Sequence, residues 1–178
     1  MPGPVFLGGG DVALRTVEEE DIGFLQRGFT DRRIGPYVAR YRPISRSQQR
    51  TEYEEQFVGS DDSIDLLVCA NEEPVGYAHL FAIDHRRGTS ELGYWIVPDE
   101  QGKGYGTAAV RLITDYGFEE VNLHKLTARV HESNKVSQRL LERVGFVEEG
   151  VQREQRFLDG EYQDSHLYGL LAQEWRDR

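Results

Sequence analysis

The 178-residue chain carries a formal net charge of −10, with 31 acidic residues against 21 Lys and Arg, and its only lysines are Lys103, Lys125 and Lys135. That length suits a single domain with a sizeable core; no apolar run approaches the ~20 residues of a membrane span, no charged segment followed by an apolar core marks the N-terminus, and residence in the cytoplasm is expected. An acidic chain in which Arg replaces Lys points to adaptation to high salt, where a Debye length of roughly 3 Å at ~1 M screens self-repulsion; the plainer alternative is an acidic protein kept soluble by its charge.

Residues 1–10, rich in Gly and Pro, read as a loose N-terminal arm. Residues 12–16 alternate apolar and polar side chains, which predicts a strand. A helix is expected over 18–29, its dipole complemented by Glu18, Glu19, Glu20 and Asp21 at the N-terminal end. Arg27, Arg32, Arg33, Arg40, Arg42, Arg46 and Arg50 then cluster, interleaved with Tyr37 and Tyr41. Arginines paired with nearby carboxylates on a solvated face are the favoured explanation; contact with rRNA, and so with a ribosome, or with an acidic acceptor tail is the sharper one. A second helical stretch covers 45–58, with Tyr53 and Phe57 four apart.

Residues 64–70 and 75–83 are two strands around the turn Asn71-Glu72-Glu73-Pro74. Cys69 is alone in the first of them, so the chain holds no internal disulfide. With no charged neighbour in sequence it reads as a buried, inert thiol. The turn His85-Arg86-Arg87-Gly88 leads to a third strand, Glu91-Leu92-Gly93-Tyr94-Trp95-Ile96-Val97, closed by Pro98-Asp99.

The next stretch, Gln101-Gly102-Lys103-Gly104-Tyr105-Gly106, is followed by Thr107 and a segment in which Ala109, Leu112, Ile113 and Tyr116 fall at i, i+3, i+4 and i+7. A glycine-rich turn therefore links a strand to the first turn of a helix. Glycines permit positive φ and close approach, while the unpaired N–H groups and the positive dipole end of the helix face one spot. That combination captures phosphate. The glycines are spaced by two, so neither the dinucleotide fingerprint G-x-G-x-x-G nor the Walker loop G-x-x-x-x-G-K-[ST] is present.

A short strand over 126–130 precedes Asn134-Lys135-Val136-Ser137-Gln138-Arg139-Leu140-Leu141-Glu142-Arg143-Val144-Gly145-Phe146. Asn134 stands where an N-cap belongs, and Ser137, Leu141 and Val144 share one stripe of the helix. Residues 146–151 extend into a final hairpin turned at Asp159-Gly160, a strong turn dipeptide. The sum is an α+β sandwich on a mixed, mostly antiparallel sheet.

The run 91–116 resembles motif A of the GNAT N-acetyltransferases, whose [QR]-x-x-G-x-[GA] signature is filled by Gln101, Gly104 and Gly106. The block 134–146 is similar to motif B of the same family, in the N-x-x-S-x-x-x-L-x-x-x-G-F form of its RimJ/RimL branch. The tail, from Arg156-Phe157-Leu158-Asp159-Gly160-Glu161-Tyr162 to Leu171, resembles that branch's closing hairpin. The resemblance implies the GNAT acyl-CoA N-acyltransferase fold with α/β/α layers over the whole chain, and acetyl-CoA as co-substrate. It further implies that the motif A strand and the strand after it splay apart and seat the pantetheine arm. On this likeness Gln101, Gly102, Lys103, Gly104, Tyr105, Gly106 and Thr107 hold the pyrophosphate, and Asn134 touches the pantetheine arm. An N–H near Ile96 or Val97 stabilises the oxyanion. Because the net charge opposes a polyanion, backbone amides supply most of the attraction, assisted by Lys103 and Lys135.

Glu91 is the candidate base, as the family often places a glutamate there; the alternative is a strand-edge carboxylate paired with Arg86 or Arg87. By period two it shares a face with Gly93, Trp95 and Val97. Where many family members carry a tyrosine as general acid this chain has Leu141, which leaves Ser137 as the proton donor; a hydroxyl bonded back to a helical carbonyl is the competing view. The histidines (His79, His85, His124, His131 and His166) show no metal-ligand spacing, and no metal is expected. Direct transfer of acetyl to a protein N-terminal amine is the leading expectation. A small amine such as an antibiotic, polyamine or amino acid is the second, and a non-catalytic CoA-binding module the third. A homodimer is left open.

Overall fold

The computed structural model describes residues 2–38, 45–56 and 60–178. The strands are β1 (Val5–Gly9), β2 (Val12–Thr16), β3 (Ile64–Ala70), β4 (Glu73–Asp84), β5 (Thr89–Ile96), β6 (Lys125–His131), β7 (Val147–Leu158) and β8 (Glu161–Leu171). The helices are α1 (Ile22–Thr30), α2 (Arg46–Gln56), α3 (Tyr105–Glu119), α4 (Lys135–Val144) and α5 (Ala172–Arg176). One sheet in the order β1-β2-β3-β4-β5-β6-β8-β7 carries all eight strands. Among the described residues only β5 and β6 pair in parallel, and the crossover that a parallel pair requires is supplied by α3. The expected α+β architecture, a mixed and mostly antiparallel sheet with helices on both faces, is the one observed.

The N-terminal arm is a correction. Val5–Gly9 is a strand on β2, with Leu7 opposite Leu14 and Gly9 opposite Val12, and Phe6 meets Tyr116 edge-on at 5.0 Å between centroids. Glycine content argues for looseness locally, but the open edge of β2 offers unpaired N–H and C=O groups that a neighbouring segment satisfies. β4 also begins before Pro74 rather than after it. The register slips between Val68 and Cys69, and a bulge is where a strand tolerates proline. The closing hairpin turns as expected, with φ of +52° at Asp159 and +90° at Gly160, the two positive values of a type I′ turn.

Two cores lie on opposite faces of the sheet. On one, Leu80, Leu92 and Ile96 pack with Val110 and Ile113 of α3 and Leu141 and Val144 of α4. On the other, Trp95, Tyr77 and Leu67 pack with Leu25 and Phe29 of α1. β5 therefore feeds both cores by alternation, as a strand buried on two faces does. Cys69 is buried in the second core, where desolvation pushes its thiol up to about 11. That environment suits an inert thiol.

β5 pairs with β6 only over Thr89↔Lys125, Ser90↔Leu126 and Glu91↔Thr127. Beyond that point β5 stays with β4 up to Ile96, and β6 stays with β8 up to His131. The two strands diverge, and the sheet opens at its middle.

Candidate active site

The opening is the mouth of a cleft of about 1240 Å³, larger than the roughly 300–1,000 Å³ of an ordinary small-molecule site. Its lining draws on both faces of the sheet, with the glycine turn and α4 on one side and Phe29, Ile34, Tyr37 and Trp95 on the other. The expected splay and the glycine turn thus meet in one place.

Gly102 and Gly104 adopt φ of +79° and +89°, and no atom lies within 4 Å of where a Cβ would stand on either. This is the left-handed region that L side chains avoid, used here to turn the backbone N–H groups outward. Gly104 caps α3 without a side-chain hydrogen bond. The first helical bond to it comes from the Ala108 N–H, so the N–H groups of residues 102–107 have no acceptor among the described residues. That nest and the helix dipole form an anion seat that fits a pyrophosphate.

Side chains depart from expectation around this seat. Gln101 folds back to donate its amide to the Ile96 carbonyl at 2.9 Å, which clamps the turn to the end of β5. Lys103 lies 2.8 Å from Glu100, and that hydrogen bond raises its pKa; much of its charge is balanced before any ligand arrives. Cations from α4 line the cleft instead: Lys135, Arg139 and Arg143, one turn apart on a single stripe. The i, i+4, i+8 spacing was the signal available for Arg139 and Arg143.

Ile96 and Val97 separate. The Val97 N–H donates to the Val75 carbonyl at 2.9 Å, so it is withdrawn from the cleft, a correction to its expected part. Given that bond and the register Gly76↔Ile96, antiparallel alternation directs the Ile96 and Tyr94 N–H groups away from β4, into the gap that β6 has vacated. Asn134 accepts from the Ser137 N–H at 3.1 Å as the N-cap of α4, leaving its amide nitrogen for a ligand.

Ser137 does not bond back to its helix. Its Oγ lies 2.7 Å from Tyr94 Oη, a contact that sequence reading missed. Tyr94 sits on the helix-facing stripe of β5 with Leu92 and Ile96, and burial pushes its hydroxyl up to about 12, partly offset by the bond to Ser137. It therefore holds its proton around neutral pH, and either hydroxyl can donate to the other. Leu141, at the family's tyrosine position, is fully buried in the core.

Glu91 lies on the opposite face of β5, its side chain 21 % exposed and 3.4 Å from Arg129. The alternative weighed from the sequence paired Glu91 with Arg86 or Arg87, yet Arg87 pairs with Asp84. Parallel register sets Thr127 beside Glu91, and Arg129 is two residues further on the same face of β6. Burial pushes the Glu91 carboxyl up, opposed by Arg129, then Arg156 and His79. His79, set aside on sequence, lines the same cleft. Its Nδ1 lies 3.6 Å from Asp65, its ring stacks on Phe81 at 4.6 Å, and it occupies the space over Gly93, where a Cβ would meet its Nε2.

Of the arginine cluster, Arg33 pairs with Asp31 at 2.8 Å and Arg50 with Glu19 at 2.9 Å. Arg40, Arg42, Tyr41 and Phe57, and the side chain of Arg46, lie outside the described residues. No group of three or more His, Cys, Asp or Glu suited to a metal occurs among the described residues, and none of their helices is long and apolar enough to cross a membrane.

The model of the acetyltransferase (GNAT) domain matches residues 11–147. The chain belongs to the GNAT acetyltransferase family. As a GNAT enzyme it is an N-acetyltransferase with acetyl-CoA as co-substrate. It is 28 % identical to the spermidine N(1)-acetyltransferase of Vibrio cholerae over 94 % of this chain and 96 % of that protein. It is 37 % identical to the putative ribosomal N-acetyltransferase YdaF of Bacillus subtilis, over 56 % of this chain and 55 % of that one. The crystal structure of the Vibrio cholerae spermidine N-acetyltransferase with CoA and spermine superposes with a TM-score of 0.89 at 27 % identity, covering 94 % of this chain and 99 % of the other. This GNAT chain is thus similar end to end to polyamine acetyltransferases, while its likeness to the putative ribosomal enzyme spans about half of each protein.

Proposed function

We propose that the acetyltransferase moves acetyl from acetyl-CoA directly to the primary amine of a small molecule, within a ternary complex. The observation that carries this reading is the superposition on a small-amine acetyltransferase over almost the full length of both chains. It takes precedence over the protein N-terminal amine expected from the RimJ/RimL likeness, whose nearest support is the half-length match to the putative ribosomal enzyme.

In this reading Glu91 accepts the proton of the bound ammonium. At pH 7 an alkylamine of pKa ~10.4 costs roughly 4.6 kcal/mol to deprotonate, so a base at the cleft floor has much to contribute. Burial of Glu91, which raises its proton affinity, favours that part, while Arg129 keeps the carboxylate in place. The freed amine attacks the thioester carbonyl, the C–N bond forms, and the Ile96 N–H receives the developing oxyanion. A preorganised donor of this kind is worth about 3–4 kcal/mol. As the C–S bond breaks, Ser137 protonates the departing thiolate and takes the proton of Tyr94, 2.7 Å away; once the products leave, Tyr94 regains a proton from water and Glu91 releases the amine proton to water, which closes the cycle. The neutral Tyr94 supports a relay in which the tyrosine reaches the sulfur through serine from the sheet side, in place of the helix tyrosine absent at Leu141.

Thiol release from acetyl-CoA, measured across a library of small amines beside peptides with free N-termini, tests the assignment. Turnover with one or more small amines is expected. Acetylation confined to peptides would return the protein N-terminus to first place.

A further inference from the structure

The acceptor half of the cleft is an uneven set of charges. Its carboxylates are already engaged. Glu91 is held by Arg129. Asp65 accepts from Tyr77 and from Ser63 at 2.6 Å, with His79 beside it. Asp62 accepts from Ser60 at 2.5 Å. The donors are not all engaged. Arg156 of β7 lines the cleft, near enough for its charge to oppose the burial-driven rise at Glu91 and to add to the burial-driven fall at His131, yet no hydrogen bond or ion pair holds its guanidinium among the described residues. The buried indole N–H of Trp95, another lining residue, also has no acceptor among the described residues. A buried N–H such as that of Trp95 is costly without a partner and is normally satisfied by something, while the half-buried Arg156 guanidinium is open to an anion from the cleft.

A bare polyamine brings only donors and positive charge to such a surface, and its second ammonium would meet Arg156 as a like charge. A ligand that presents acceptor oxygens completes the surface. We propose that the acceptor is a small amine bearing a carboxylate within a few bonds of the reacting nitrogen, an amino-acid-like molecule, and that Arg156 holds that carboxylate while the nitrogen faces Glu91. A guanidinium is the side chain best shaped for this, with its planar fork of donors. The inference rests on the small-amine reading and names its substrate class.

Matched pairs decide it: phenylalanine against phenethylamine, and ornithine against putrescine, with spermidine alongside, each followed by thiol release at fixed acetyl-CoA. The carboxylated member of a pair is expected to show a kcat/KM roughly tenfold or more above its partner, the size of a charge-assisted hydrogen bond. Arg156→Ala should collapse that ratio to near one, chiefly through KM, whereas Arg156→Lys should keep part of it. A ratio below one, a preference for spermidine, or a ratio unchanged in Arg156→Ala overturns the proposal while leaving small-amine acetylation standing. Absence of turnover with every small amine, with peptides modified instead, removes both.

Discussion

The α3–α4 wall of the cleft is assembled from two short runs of sequence, 101–107 and 134–143, whereas the wall opposite takes its side chains from α1, β3, β4, β5, β6 and β7. On the first wall the candidate phosphate seat is made by the backbone: positive φ at Gly102 and Gly104, open N–H groups and a helix dipole. On the second it is carried by side chains that meet only because strands pair, Glu91 with Arg129 and His79 with Asp65. For that reason the co-substrate was readable along the chain and the acceptor was not. A backbone seat is a local object with a sequence signature. A side-chain pocket is a product of register.

The sharpest way to break this contrast is at Glu91. Glu91→Gln should lower kcat by about 10²-fold, the low end for a positioned proton acceptor, while acetyl-CoA affinity measured by calorimetry stays at the wild-type value. Equal loss of affinity would mean that the two walls are not separable. Gly104→Val tests the other side. A β-branched residue forced to φ near +89° is strained by roughly 1–2 kcal/mol, so acetyl-CoA should bind about tenfold more weakly. Unaltered binding would show that the turn does not hold the pyrophosphate. The smallest effect is expected where the strand meets the helix. Tyr94→Phe and Ser137→Ala should each slow turnover severalfold, and the double variant should be no slower than the worse single one, since residues acting as a unit are not additive. Additive losses would break the relay into two unrelated contacts.

How far the site was legible follows the same division. Gly104, Gly106 and the cap at Asn134 announce themselves through spacing, because caps and turns are decided within a few residues. Tyr94 and Ser137 are 43 residues apart, and period two sets Tyr94 on the face away from Glu91, so nothing near Tyr94 in sequence points to a serine. Arg129, rather than Arg86 or Arg87 of the alternative reading, meets Glu91 because a parallel register is chosen by the crossover, not by proximity along the chain. Val97 was lost as a donor for a similar reason: which N–H groups point into the gap depends on whether a residue sits at a bonded or non-bonded site of the antiparallel ladder.

Most of the elements, the family likeness and the candidate phosphate turn were readable along the chain, because they rest on local periodicity, glycine conformation and helix capping. Tertiary structure alone decided the edge strand at Val5–Gly9, the partner of Glu91, the Tyr94–Ser137 contact and the unengaged Arg156. Each of these depends on two segments distant in sequence being brought to one register by packing, and pairing across a sheet leaves no trace in the neighbours of either residue.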